Sequence, residues 1–330
     1  MALITITNTL GTSALLSTFG ARLVELMARD REGELDNIVL GHDTEQEYRD
    51  DPGPYFGATV GRVAGRLAGG RFVGGGLNFA VTANEKSTHL HGGPLRAFDR
   101  VEWDVEQEAD GRSATFRYVS PAGEEGYPGT LSVEASYHLT ESDQLELGFR
   151  ATTDAPTPVN IVNHAYINLS GDAKRSIVDH VLEISASSIL AADGMLLPLG
   201  GVIPVAGTPY DFVSERRIGN DLVVGGSEPW PGIDSTYVLD RAEGVAARLW
   251  DEVSGRTLEI TTTEPTLQVY TGNRIAESTG RRGAGHSPGK GICLEAHRVP
   301  DSPALPEWPS IVLEPGREYL QHTVWQLGTR

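Results

Sequence analysis

Three stretches of the 330-residue sequence carry side chains suited to chemistry, and each is read first for what it could do. In Gly291-Ile-Cys293-Leu-Glu295-Ala-His297, strand periodicity places Cys293, Glu295 and His297 on one face, with Ile292 and Leu294 on the other. A carboxylate enclosed beside apolar or thiol groups loses hydration, and its pKa rises toward the range where it serves as a base near neutral pH. Cys293 is the rival nucleophile, but no basic neighbour in sequence favours a thiolate, so it reads as a small buried hydrophobe. In Pro158-Val-Asn-Ile-Val-Asn-His164-Ala-Tyr166-Ile-Asn168-Leu169, His164 and Tyr166 share a face. The density of asparagine and tyrosine there points to a polar cavity, because buried polar groups need partners. The third stretch, His89-Leu-His91-Gly-Gly93, leaves three readings open: two imidazoles on one strand face meeting a metal, a substrate contact, or a turn with polar residues before its glycines.

Other polar residues carry weaker signals. Glu124 and Glu125 are adjacent and sit beside Gly126-Tyr-Pro-Gly129, so they read as a turn rather than as the opposed carboxylates of a glycosidase. Asp234 precedes a strand and Gln268 lies in Leu267-Gln-Val-Tyr-Thr-Gly-Asn273; alone, each reads as a cap or a turn residue. The glycine-rich run from Gly57 to Phe72 lacks Gly-x-Gly-x-x-Gly in a strand-turn-helix setting, and reads as closely packed backbone with basic side chains between.

These residues have to be positioned by strands. Alternating segments recur throughout: 2–10, 13–19, 101–108, 114–120, 130–139, 145–153, 178–184, 237–239, 246–251, 256–262, 267–270 and 311–313. Turn-rich stretches such as 121–129 and 225–232 separate them, and helical candidates are scarce. The pattern predicts an all-β fold, an antiparallel β-sandwich or related barrel, in one domain spanning 1–330. Hydrophobic residues make up 39% and charged residues 22%, and no apolar run approaches the roughly 18 residues of a membrane helix. A formal charge of −18 disfavours nucleic-acid and anionic-lipid partners. The amino terminus alternates like a strand rather than a signal peptide, and one cysteine excludes an intrachain disulfide framework, so a cytoplasmic location is expected.

Taken in order, these segments resemble the aldose 1-epimerase (galactose mutarotase) family along nearly the whole chain. The resemblance rests on Gly61-Arg-Val-Ala-Gly-Arg66, Leu90-His91-Gly-Gly with Phe98-Asp99 and Trp103, Gly126-Tyr-Pro-Gly129, and Asn163-His164 with Asn168-Leu169. It continues through Asp211-Phe212, Ile233-Asp234, Gln268-Val-Tyr-Thr-Gly-Asn273, Cys293-Leu-Glu295 and Pro309-Ser-Ile-Val-Leu-Glu-Pro-Gly316. It narrows the fold to a large antiparallel β-sandwich with a carbohydrate cleft, and implies a monosaccharide partner and interconversion of sugar anomers without metal or organic cofactor. By the same resemblance Glu295 is the general base, ionised, and His164 the general acid, protonated and supported by Asp234, while Arg66, His91, Asp234 and Gln268 hold or polarise the sugar. Three rival functions remain at this point: sugar binding or regulation without turnover, a cupin-like metal enzyme built on His89 and His91, and, disfavoured by the acidic balance and the lack of a clear phosphate cluster, a hexose-phosphate mutarotase of the same fold. Gly65, Ala165, Ser235 and Ala296-His297 depart from the usual asparagine, serine, histidine and Thr-Gln, which bears on which hydroxyls are read.

Overall fold

A computed structural model describes residues 2–219, 232–240, 244–300 and 308–330, so most of the expected turn at 225–232 lies outside the described residues. Among those residues the regular structure is strand, apart from one short α-helix, Glu45–Asp50, and a few 3-10 turns. Frequent turn residues keep the strands short, and period-two alternation gives each of them a buried face.

The largest sheet has nine antiparallel strands, running in order Asp104–Gln107, Ser113–Ser120, Leu131–Leu139, Gln144–Thr153, Tyr319–Thr329, Arg256–Thr262, Val245–Trp250, Val181–Ile184 and Arg216–Arg217. Leu131–Leu139 shows the rule: Leu131, Val133, Ala135, Tyr137 and Leu139 are buried, and the residues between them are not. Each such apolar side chain contributes on the order of 2 kcal/mol by leaving water. Tyr319–Thr329 was absent from the expected strands, although it lies mid-sheet. Its inward positions include Gln321 and Thr323, which hide the apolar period.

A second, five-stranded antiparallel sheet runs Pro198–Pro204, Ser188–Ala192, Asp234–Val238, Thr266–Tyr270 and Cys293–His297. Tyr237, Leu267, Val269, Leu294 and Ala296 on one face join the same core as the nine-stranded sheet. An amino-terminal meander, Leu3–Thr7, Ser13–Ser17, Arg22–Arg29 and Leu35–Asn37, adds Ile4, Ile6, Leu16, Leu23 and Leu26 to that core. The opposite face of the five-stranded sheet is polar and forms the floor of a cavity.

The glycine-rich run is closely packed backbone, as its sequence suggested. Gly57 has φ +65°, and a Cβ on it would stand 1.8 Å from the Leu23 carbonyl oxygen. Arg62 turns inward and donates to the carbonyls of Ser120, Pro121, Pro128 and Gly129. No helix among the described residues is long and apolar enough to cross a membrane.

Candidate active site

The floor of the cavity is two rungs of the five-stranded sheet. Thr236, Gln268 and Glu295 lie side by side in one rung, and Asp234, Tyr270 and Cys293 in the next. Register therefore fixes which polar groups meet. Gln268 accepts from the Thr236 hydroxyl and donates to Asp234 Oδ1 at 2.8 Å, so its amide has one orientation. Alternation along Cys293–His297 also directs His297 to the cavity, where its Nε2 has no partner.

His164 enters from the facing wall. Only Val162–Asn163 is strand there, paired with Thr59–Val60. The main chain then leaves the sheet, with His164 N–H donating to the Ala58 carbonyl at 2.8 Å and Gly57 N–H to the His164 carbonyl at 3.0 Å. His164 and Tyr166 both face the cavity, as expected. The asparagines do not: Asn163 donates to the Gly57 carbonyl and the Tyr137 hydroxyl, and Asn168 donates to the carbonyls of Arg175 and Lys290. Their density reflects a backbone that leaves the sheet and needs side-chain partners.

His89 and His91 do not share a face, so of the three readings the shared metal or shared ligand is the one the structure removes. His91 has φ +53°, which breaks strand alternation before the glycines, so the imidazoles diverge. His89 is buried between the Thr82 carbonyl and the Tyr127 hydroxyl, each 2.6 Å away. His91 lines the cavity, and its Nδ1 accepts the Gly65 N–H at 3.2 Å. Burial, aided by the charges of His164 and Arg66, holds its pKa well below the ordinary histidine value. The neutral ring therefore carries hydrogen on Nε2 as a donor. The cupin-like metal site, which needs both imidazoles together, has no geometric basis.

Glu295 and His164 are each about 95% buried, with Oε1 and Nε2 3.7 Å apart. Burial pushes the Glu295 carboxyl up to about 8, with Asp234 adding to the rise and Arg66 opposing it. Burial pushes the His164 imidazole down to about 4, opposed by a backbone hydrogen bond. This differs from the expected carboxylate and imidazolium: desolvation favours the neutral form of each group. Asp234 acts on Glu295 rather than on His164. Cys293 Sγ lies 3.6 Å from His164 Nδ1, which leaves Nε2 as the edge toward Glu295. Burial raises the thiol pKa well above its usual value, in keeping with an unreactive cysteine. Among the described residues, His164, Cys293 and Glu295 are the one group of histidine, cysteine and acid side chains close enough to share a metal, within 4.8 Å of one another. A metal there would occupy both Glu295 and His164.

The cavity, about 570 Å³, brings together all six residues singled out in the sequence, Glu295, His164, Arg66, His91, Asp234 and Gln268. It also contains Glu85 and Arg274, which the sequence did not single out because each looks like a solvated charge near a turn. Glu124 and Glu125 are in a 3-10 turn, where Glu124 accepts from Tyr118, Ser120 and Arg96.

The profile of the family described as aldose 1-epimerase matches residues 2–326. The chain belongs to the aldose 1-epimerase family. It is 38% identical to galactose mutarotase of Homo sapiens over 93% of this chain and 88% of that one. It is 33% identical to aldose 1-epimerase of Escherichia coli K12 over 98% and 94%. Among solved structures, an aldose epimerase homologue from C. elegans superposes with a TM-score of 0.92 at 29% identity, covering 99% of both chains. A galactose 1-epimerase from Lactobacillus acidophilus superposes at 0.85 with 27% identity, covering 98% and 93%. Within this aldose 1-epimerase fold the departure at Gly65 has a local reason: its φ is +79°, and a Cβ there would come within 2.6 Å of the Pro300 ring.

Proposed function

We propose that this chain is an isomerase that interconverts the α and β anomers of a free aldose, with Glu295 and His164 moving the two protons. The observation that carries the reading is a carboxyl and an imidazole, both buried, 3.7 Å apart on a cavity rich in hydrogen-bonding groups. Mutarotation needs a proton to leave O1 while another reaches O5. The C1–O5 bond breaks, C1=O forms, rotation about C1–C2 exposes the other carbonyl face, and closure reverses both transfers.

The pair supplies these steps with a single shared proton. In the closed-ring state Glu295 is the carboxylate that takes the O1 proton, and His164 is the imidazolium that gives Nε2–H to O5. After opening, Glu295 carries the proton and His164 is neutral, which is the arrangement burial favours. The same residues are then ready to close the ring on either face. Sugar hydroxyls in the cleft offset the cost of the charged arrangement. His91, as an Nε2 donor, stabilises charge developing on a sugar oxygen, and Asp234, Gln268 and Arg66 hold the open chain in place.

Polarimetry on freshly dissolved pure anomers tests the assignment. Glu295→Gln and His164→Asn each lower kcat by about 10²–10⁴ while the protein stays folded. Near-normal rates in either variant would remove that residue from the reaction. Acceleration of anomer exchange by the unaltered chain also separates this reading from a sugar-binding protein without turnover.

A further inference from the structure

Two guanidinium groups reach the cavity, and one carboxylate holds both. Glu85 accepts from Arg66 Nε at 2.5 Å and from Arg66 Nη2 at 3.0 Å, and its Oε1 also accepts from Arg274 Nη1 at 3.3 Å. The two-point contact occupies one edge of Arg66 and fixes the plane of its guanidinium. Arg66 and Glu85 side chains are 14% and 27% exposed, so their mutual attraction is less screened than at an open surface. The cavity lining carries five carboxyl groups, Asp51, Glu85, Asp193, Asp234 and Glu295, against these two arginines.

We propose that Glu85 is a specificity-determining residue that turns away sugars bearing a carboxylate or phosphate, by occupying both guanidinium groups the cleft could offer an anion. This rests on the mutarotase reading above. An anionic sugar has two routes, and each is unfavourable. Approaching beside Glu85, it meets a like charge with Asp234 nearby; displacing Glu85, it leaves a half-buried carboxylate without its partners. A neutral aldose needs only hydrogen bonds, and Arg66 retains Nη1 for one.

The test pairs each neutral hexose with its 6-carboxylate, glucose with glucuronate and galactose with galacturonate, and measures kcat/KM for anomer exchange. The unaltered chain prefers the neutral sugar by about 100-fold at low salt. Glu85→Gln raises the uronate-to-neutral ratio by about tenfold or more, and adding Arg274→Gln to it reverses most of that gain, because the anion loses a released guanidinium. With the unaltered chain, raising salt from about 0.02 to about 0.3 M narrows the preference as screening weakens the repulsion, a readout that needs no variant. An unchanged ratio in Glu85→Gln, or equal handling of both sugars by the unaltered chain, overturns the role of Glu85 alone. Failure to accelerate exchange of any neutral aldose would instead overturn the mutarotase reading, and this role with it.

Discussion

Burial places the Glu295 titration near 8 and the His164 titration near 4, so between those values the pair holds one proton. That is the count the proposed proton transfers need. Below the window both groups are protonated and no base remains; above it both have lost the proton and no acid remains. The rate kcat/KM for a neutral aldose is therefore expected to be flat from about pH 4 to about pH 8 and to fall about tenfold per unit outside it. A single limb near the ordinary histidine value of about 6.5 would show that the imbalance is not felt by the reacting pair. The same shifts bear on stability. A carboxyl raised from its unfolded value of 4.5 to about 8 makes the folded chain bind more protons than the unfolded one, so stability falls as pH rises through that interval. Glu295→Gln removes this loss. Its advantage over the parent is near zero at pH 4.5 and grows to on the order of 4 kcal/mol at pH 8, measurable by urea unfolding at each pH.

Elements decide whether such side chains meet. His164 is held by main-chain bonds to residues 57 and 58, and Gly57 passes so close to Leu23 that a methyl group has no room. Gly57→Ala is expected to cost about 3 kcal/mol or more, from a positive φ and a backbone clash together, and to lower kcat in whatever remains folded. A urea midpoint within error of the parent would contradict that packing. The strands carrying Glu295 and Gln268 were legible in the sequence because apolar and polar residues alternate cleanly through them. The His89–His91 pair was not, since a left-handed residue ends the alternation at the point where chemistry begins. Glu85 was not legible either: a carboxylate near a turn looks the same whether it faces water or two arginines.

Across the whole molecule the two large sheets are tied by polar as well as apolar contacts. Gln321, from the middle of the nine-stranded sheet, donates to the Ala296 carbonyl at 2.8 Å and accepts the Tyr319 hydroxyl at 2.6 Å. This inward glutamine hid its own strand from a reading based on apolar period, and it also pins the strand that carries Glu295. Gln321→Leu leaves a buried hydroxyl and a buried carbonyl without these partners, and is expected to cost about 2 kcal/mol in chemical denaturation. The two faces of the five-stranded sheet impose a different constraint. Deleting one residue within Cys293–His297 would exchange the Glu295 carboxyl for Leu294 or Ala296 on the cavity face, so a length change there is expected to remove the proposed base. The hairpin from Ser188 to Pro204 lies at the far edge of the sheet, lines the cavity with Ile189, Leu190 and Ile203, and leaves Leu199 and Val202 largely in solvent. Substitutions at its exposed positions leave Glu295 and His164 untouched on other elements, so new sugar contacts can be added along that wall while the proposed proton transfers stay as they are.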